Sequence, residues 1–172
     1  TMSTKIAIFF EGILEQVAPP MELYQNPASI RVADFIGNPK INFIPAKARL
    51  EGDVLEVDSV LGKMKFGKEF LTEPLSQGES FEAVVGVRPE LVEIREEKEE
   101  DGASIGAKVY SVMPAGSETT VYLEIGEEKV LAKQNGLRHY GTDQEVQVCI
   151  DPSRINVFKK ETGRLIKLAV ME

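Results

Sequence analysis

The chain has no tryptophan, one histidine (His139) and one cysteine (Cys149) among its 172 residues. A lone cysteine cannot close a disulfide within the chain, which fits a reducing cytoplasm. One histidine and one cysteine fall short of a zinc ligand set. The acidic stretch EEKEED lacks the glycine-pivoted spacing of a calcium loop. No run of about 18 apolar residues occurs, so no segment has the length of a membrane-spanning helix. The opening TMSTKIAIFFEG has neither the basic start nor the long apolar middle of a secretory signal. Its apolar piece has the length of a strand. Neither G-x-x-x-x-G-K-[ST] nor G-x-G-x-x-G is present, so the residues offer no recognisable phosphate cradle. Acidic residues outnumber basic ones, 28 to 20. The net charge of −8 has the wrong sign for neutralising phosphates, and no basic stripe with interleaved aromatics appears. Half of that excess sits in 88–101, RPELVEIREEKEED, and a charge run of this kind is a solvated face.

What is present suits a packed domain: 42% hydrophobic and 28% charged residues can bury a core. KIAIFF (5–10) and ILEQVA (13–18) are β-rich runs joined by Glu11-Gly12, a two-residue connection that predicts a hairpin. Pro19-Pro20 ends the second strand, and PMELYQN reads as a short helix with proline in its first turn. Pro27 stops it, and Asn26 is expected to cap a second helix over PASIRVADFIG, with Gly37 just past its end. Ile30, Val32, Ala33, Phe35 and Ile36 give that helix a wide apolar stripe. From Lys40 onward the period changes to two. Roughly eight to ten short strands with turns at intervals of about 8–12 residues predict an all-β sandwich or small barrel. Turns are expected at Glu51-Gly52-Asp53 and Leu61-Gly62-Lys63. In the strand around 109–113, Val109, Ser111 and Met113 are expected on one side and Tyr110 and Val112 on the other. The boundary falls near Asn38-Pro39-Lys40, dividing the chain into 1–39 and 40–172.

Convergent chemistry is missing. His139 sits beside Tyr140 in a glycine-flanked turn, with no nucleophile or acid at a motif spacing, and reads as a surface residue. Cys149, in the strand VQVCI, reads as a small buried hydrophobe. On residues alone the chain is an acidic, β-barrel-like binding or structural module with a helical N-terminal extension, and no enzyme.

Residues 11–43, EGILEQVAPPMELYQNPASIRVADFIGNPKINF, carry a longer pattern. Gly12, Ile13/Leu14, Gln16, Pro20, Glu22, Tyr24, Asn26-Pro27, Val32-Ala33, Phe35-Ile36-Gly37, Pro39 and Asn42-Phe43 resemble one stretch of the ATP-binding subunits of sugar-import ABC transporters, of the maltose/trehalose and glycerol-phosphate type. Ala18 departs from a glycine of that pattern, and Thr4-Lys5 from an Asp-Arg. Gly86-Val87-Arg88-Pro89-Glu90 resembles the family's G-[IV]-R-P-E motif, and Gly116, Glu118 and Val121 match a later one.

The resemblance implies a mainly β chain. An OB-type (TOBE/MOP-like) β-barrel regulatory domain over 40–172 would follow a hairpin and two-helix remnant of the ATPase domain over 1–39. The Walker motifs, signature loop and switch histidine would lie upstream, so ATP and Mg are expected in a full-length parent and no cofactor in this chain. The implied partners are a second copy in a homodimer, transmembrane permease subunits reached through the full-length ATPase, and a regulatory protein. Nucleic acid is not among them. The implied location is the cytoplasm, peripheral on the inner face of the membrane. No catalytic or metal residue is expected. The structural or regulatory candidates are Arg88, Pro89 and Glu90, read as an Arg–Glu brace across a turn, and Gly116 and Glu118, read as a turn in reach of a dimer partner or the other subdomain. The competing reading is a free-standing barrel that binds a small oxyanion.

Overall fold

A computed structural model describes residues 4–98 and 104–169. It opens with a hairpin, β1 (Ile6–Phe10) and β2 (Ile13–Ala18), and two six-residue helices, α1 (Pro20–Gln25) and α2 (Ile30–Phe35). The hairpin turns where expected, with Glu11 at φ 51° and Gly12 at φ 80°. Positive φ at both central residues is the backbone twist that such a two-residue turn demands.

Eleven strands follow: β3 (Asn42–Glu51), β4 (Val54–Ser59), β5 (Gly62–Gly67), β6 (Ser80–Val87), β7 (Glu93–Arg95), β8 (Ile105–Ala115), β9 (Glu118–Ile125), β10 (Glu128–Asn135), β11 (Glu145–Cys149), β12 (Asn156–Lys159) and β13 (Leu165–Lys167). They form a six-stranded sheet in the order β13-β12-β6-β3-β4-β5 and a five-stranded one in the order β10-β9-β8-β11-β7. The chain is mainly β, as its period-two pattern predicts. Strand β3 shows why: Ile44, Ala46, Ala48 and Leu50 are buried while Pro45, Lys47 and Arg49 face solvent. The inner faces of both sheets share one core, with Leu55, Val57 and Val85 from one and Val121, Leu123, Val130 and Val148 from the other.

Four local expectations are corrected. The cap of α2 is Ser29, not Asn26: the Ser29 Oγ accepts from the Val32 amide at 3.2 Å. Pro27 keeps its predecessor out of helical geometry, and the helix begins only once Ser29 has taken extended backbone. The turn after β4 lies at Val60-Leu61, with Gly62 already in β5. In β8 the register shifts between Val109 and Ser111, a bulge that opposes two residues to one. Val109 and Val112 consequently both pack on the core while Met113 is exposed. The extra strand beyond the expected number is β7, whose three residues are too few to print an alternating pattern. The outer acidic run, residues 99–103, lies outside the described residues.

The helices do not stand apart from the barrel. Ala33 of α2 shares a small core with Ile41, Phe158 and Leu165. Backbone bonds stitch the segment between the helices to the last hairpin: Leu165 N donates to Ala28 O at 3.0 Å and Ile30 N to Gly163 O at 2.8 Å.

Candidate functional site

Arg88 leaves the end of β6 and is 4% exposed, although it carries a charge. A buried cation needs partners that replace its hydration. Its Nη1 donates to the Ile36 carbonyl at 2.8 Å and its Nη2 to the Tyr24 carbonyl at 2.9 Å. The guanidinium lies over the Tyr24 ring at 4.2 Å. These are the carbonyls at the ends of α1 and α2, which lack an onward helical donor. One planar fork therefore closes both helices onto the barrel, a geometry that arginine provides and lysine does not. Burial lowers the Arg88 pKa to about 10, so the group stays cationic at neutral pH.

Glu90 meets the same tyrosine at its hydroxyl. It accepts a hydrogen bond from the Tyr24 hydroxyl. The hydrogen bonds of Arg88 thus go to backbone carbonyls of the N-terminal segment, and the two members of the motif act together by holding Tyr24 between them. Pro89, buried, starts the 3-10 turn Pro89–Leu91 that sets the two side chains apart. Gly37, at φ 101°, has no room for a side chain: a Cβ there would lie 2.9 Å from Arg88 Nη1.

Two asparagines extend the joint. Asn156 Nδ2 donates to the Gln25 carbonyl at 2.9 Å. Asn26, at the end of α1, accepts from the Ala169 amide at 2.7 Å through its own side chain. Asn42 ties the two sheets together: Leu131 N donates to its Oδ1 and its Nδ2 donates to Leu131 O, both at 2.8 Å. That side chain imitates one rung of a strand ladder against the edge of β10. Earlier in the chain, Gln16 Oε1 accepts from Ala28 N at 2.8 Å. Gln16, Tyr24, Asn26, Arg88 and Glu90, far apart in sequence, meet along one seam, with Gly37 packed against Arg88 and Asn42 bonded to the Val87 carbonyl beside it.

The other candidate pair is elsewhere. Gly116 (φ 66°) and Ser117 make the hairpin turn between β8 and β9. Glu118 opens β9 and pairs with Lys133 on β10 at 3.2 Å, partly exposed. This ion pair lies within its own sheet. His139 is exposed and Cys149 half-buried.

One functional-looking residue has no signal in sequence. Lys167, on β13, is fully buried. Its ammonium donates to the carbonyls of Pro152, Ser153 and Ile155, each at 3.0 Å, and lies 4.6 Å from the Phe66 ring centre. Burial lowers its pKa to about 8, with Asp151 opposing the shift. It acts as a rivet for the 3-10 turn Pro152–Arg154. The groups that converge in this protein hold backbone in place. Among the described residues no cluster of three or more His, Cys, Asp or Glu could take a metal ion, and no helix is long and apolar enough to cross a membrane.

The TOBE domain family matches residues 85–158, from β6 to β12. An uncharacterised ABC transporter ATP-binding protein, y4oS of Sinorhizobium fredii, is 39% identical over 133 residues, 77% of this chain and 33% of that protein. The alpha-glucoside transport ATP-binding protein AglK of Rhizobium meliloti is 31% identical over 92% of this chain and 42% of its own length. The sulfoquinovosyl glycerol transport ATP-binding protein SmoE of Agrobacterium fabrum is 30% identical over 96% and 44%. A solved structure of the cytoplasmic molybdate-binding protein ModG overlaps 67% of this chain and 94% of that one at 14% identity and a TM-score of 0.48. The chain spans between a third and a half of the length of these curated relatives. The chain thus carries a TOBE-domain match over residues 85–158 and is similar over most of its length to ABC transporter ATP-binding proteins.

Proposed function

We propose that this chain is the non-catalytic regulatory portion of the ATP-binding subunit of a sugar-import ABC transporter, with its domain boundary near residues 39–40. Its work is to hold two ATPase halves together through contact between their barrels. A standing contact of that kind makes nucleotide-driven closure an intramolecular event, governed by effective concentration. The natural arrangement is a two-fold homodimer, peripheral to the cytoplasmic face of the membrane, with the permease reached through the ATPase. The sugar assignment follows the relatives named for alpha-glucoside and sulfoquinovosyl glycerol transport. Arg88, Pro89 and Glu90 serve in this reading as the fastening between the ATPase side and the barrel, and Gly116 and Glu118 as a barrel turn.

The observation that carries the reading is the outer face of the hairpin. Ile8 faces inward onto Leu23 and Val32, as a hairpin packed on the helices requires. On the opposite side Phe9, paired with Leu14, and Val17 are each about half exposed or more. A two-stranded hairpin with apolar residues on both faces is a middle layer, and an isolated one is marginal in water. Covering that face with the body of an ATPase domain completes it.

The test uses the chain as it is. The double change Phe9→Ser with Leu14→Ser is expected to lower binding of an apolar dye while leaving the unfolding midpoint unchanged. A collapse of stability would show the face to be part of the chain's own core and overturn the reading. Turnover of ATP by the pure chain would overturn its non-catalytic half.

A further inference from the structure

Behind Arg88 lies a small cavity of about 50 Å³, walled by Tyr24, Gln25, Arg88, Glu90, Arg154 and Asn156 among others. Two polar atoms of its wall residues are buried and have no partner among the described residues: Arg88 Nε, a donor, and Gln25 Oε1, an acceptor. Arg88 itself is 4% exposed. Native proteins rarely leave such groups unmet, and a polar cavity is where ordered water completes them. The volume suffices for at least one water, which needs roughly 10–15 Å³.

The occupant can be chosen by chemistry. It must accept from one wall atom and donate to another. Chloride or a fully deprotonated oxyanion accepts from Arg88 but has no hydrogen to give Gln25 Oε1, which it would leave unmet. A cation meets two guanidinium groups, Arg88 and Arg154. We infer that this cavity is a binding site for internal water, one molecule of which bridges Arg88 Nε and Gln25 Oε1. The water is then part of the seam. Arg88 fastens both helix ends with its two terminal nitrogens, and its third donor is tied to the last residue of α1 through solvent that the fold encloses. The barrel end of the same helix is held directly, by Asn156 on the Gln25 carbonyl. The inference concerns the seam alone and does not depend on the transporter reading.

A crystal structure of the chain grown with sodium bromide tests it. Water density within hydrogen-bond distance of both atoms, with no anomalous bromide signal in the cavity, is the expected result. A bromide peak there would overturn the inference in favour of an anion site, and so would an empty cavity or a protein partner on Arg88 Nε. In solution, the Arg88 Nε–H resonance is expected to show cross-relaxation with a long-lived water and no saturable shift on adding chloride. Gln25→Leu is expected to abolish that cross-peak. Its persistence in the variant, or its absence from the parent protein, would refute the bridge.

Discussion

Replacing Arg88 by alanine probes the seam at its centre. The change removes two charged hydrogen bonds and strands the carbonyls of Tyr24 and Ile36, which Arg88 reaches at 2.9 and 2.8 Å. A buried acceptor left unsatisfied costs about 1–3 kcal/mol, and loss of the stack on Tyr24 adds about 1 kcal/mol. Relief from burying the charge and entry of water into the space offset part of this. The net expectation is a loss of about 3–4 kcal/mol. With a urea m-value of about 2 kcal/mol/M, the unfolding midpoint falls by roughly 1.5–2 M. Arg88→Lys keeps the charge without the fork and is expected to lose about half as much. The location of the damage is as telling as its size. Amide exchange should accelerate in α1 and α2 first, while the strands of the two sheets keep their order of protection. A midpoint shift worth less than about 0.5 kcal/mol, the range of an ordinary surface change, would refute the assignment of Arg88 as the fastening.

Three further outcomes follow from the same contacts. Asn42→Ala removes the two bonds to Leu131 and one to the Val87 carbonyl and should cost about 2–3 kcal/mol in urea unfolding, because the partly buried backbone groups of Leu131 lose their partner. Glu118→Ala breaks only a partly exposed pair with Lys133 and should change stability by less than about 1 kcal/mol, screened further by salt. Lys167 has a folded-state pKa of about 8 against the ordinary 10.5. Between those values the unfolded chain holds a proton that the folded chain has released, so stability should climb as pH rises through 8 toward 10.5, by up to about 3 kcal/mol. Lys167→Met should show no such climb over the lower part of that window, below the range where Arg88 begins to contribute.

Much of the architecture is legible in local pattern. Glu11-Gly12 marks a hairpin because only a residue pair tolerant of positive φ can turn there. The alternation of β3 is readable since one of its faces is buried along its whole length. Gly37 and the Gly86–Glu90 segment stand out as motifs, and Gly86 is held by close packing: a Cβ would lie 3.0 Å from Ile41 and from Phe158. What the motifs cannot display is their partners. Arg88 bonds to residues 52 and 64 positions away, and such pairings depend on how the helices dock and not on spacing. An Arg-Pro-Glu run suggests a pair between its own charges, whereas the 3-10 turn directs both at Tyr24. The bulge in β8 is invisible for a related reason. A shift of register leaves composition and alternation unaltered up to the residue where it occurs. Lys167 is hidden most completely, because a lysine flanked by Ile166 and Leu168 looks like a strand's solvent side, and its burial follows from three carbonyls of a distant turn.

The measurement that bears most directly on the proposed holding role is the solution mass of this chain by light scattering over a micromolar concentration series. The expected result is a dimer of about twice 19.0 kDa, persisting on dilution and separable from the apolar hairpin face because Phe9→Ser with Leu14→Ser leaves it intact. A monomer at every concentration would contradict the claim that contact between barrels holds the two halves together.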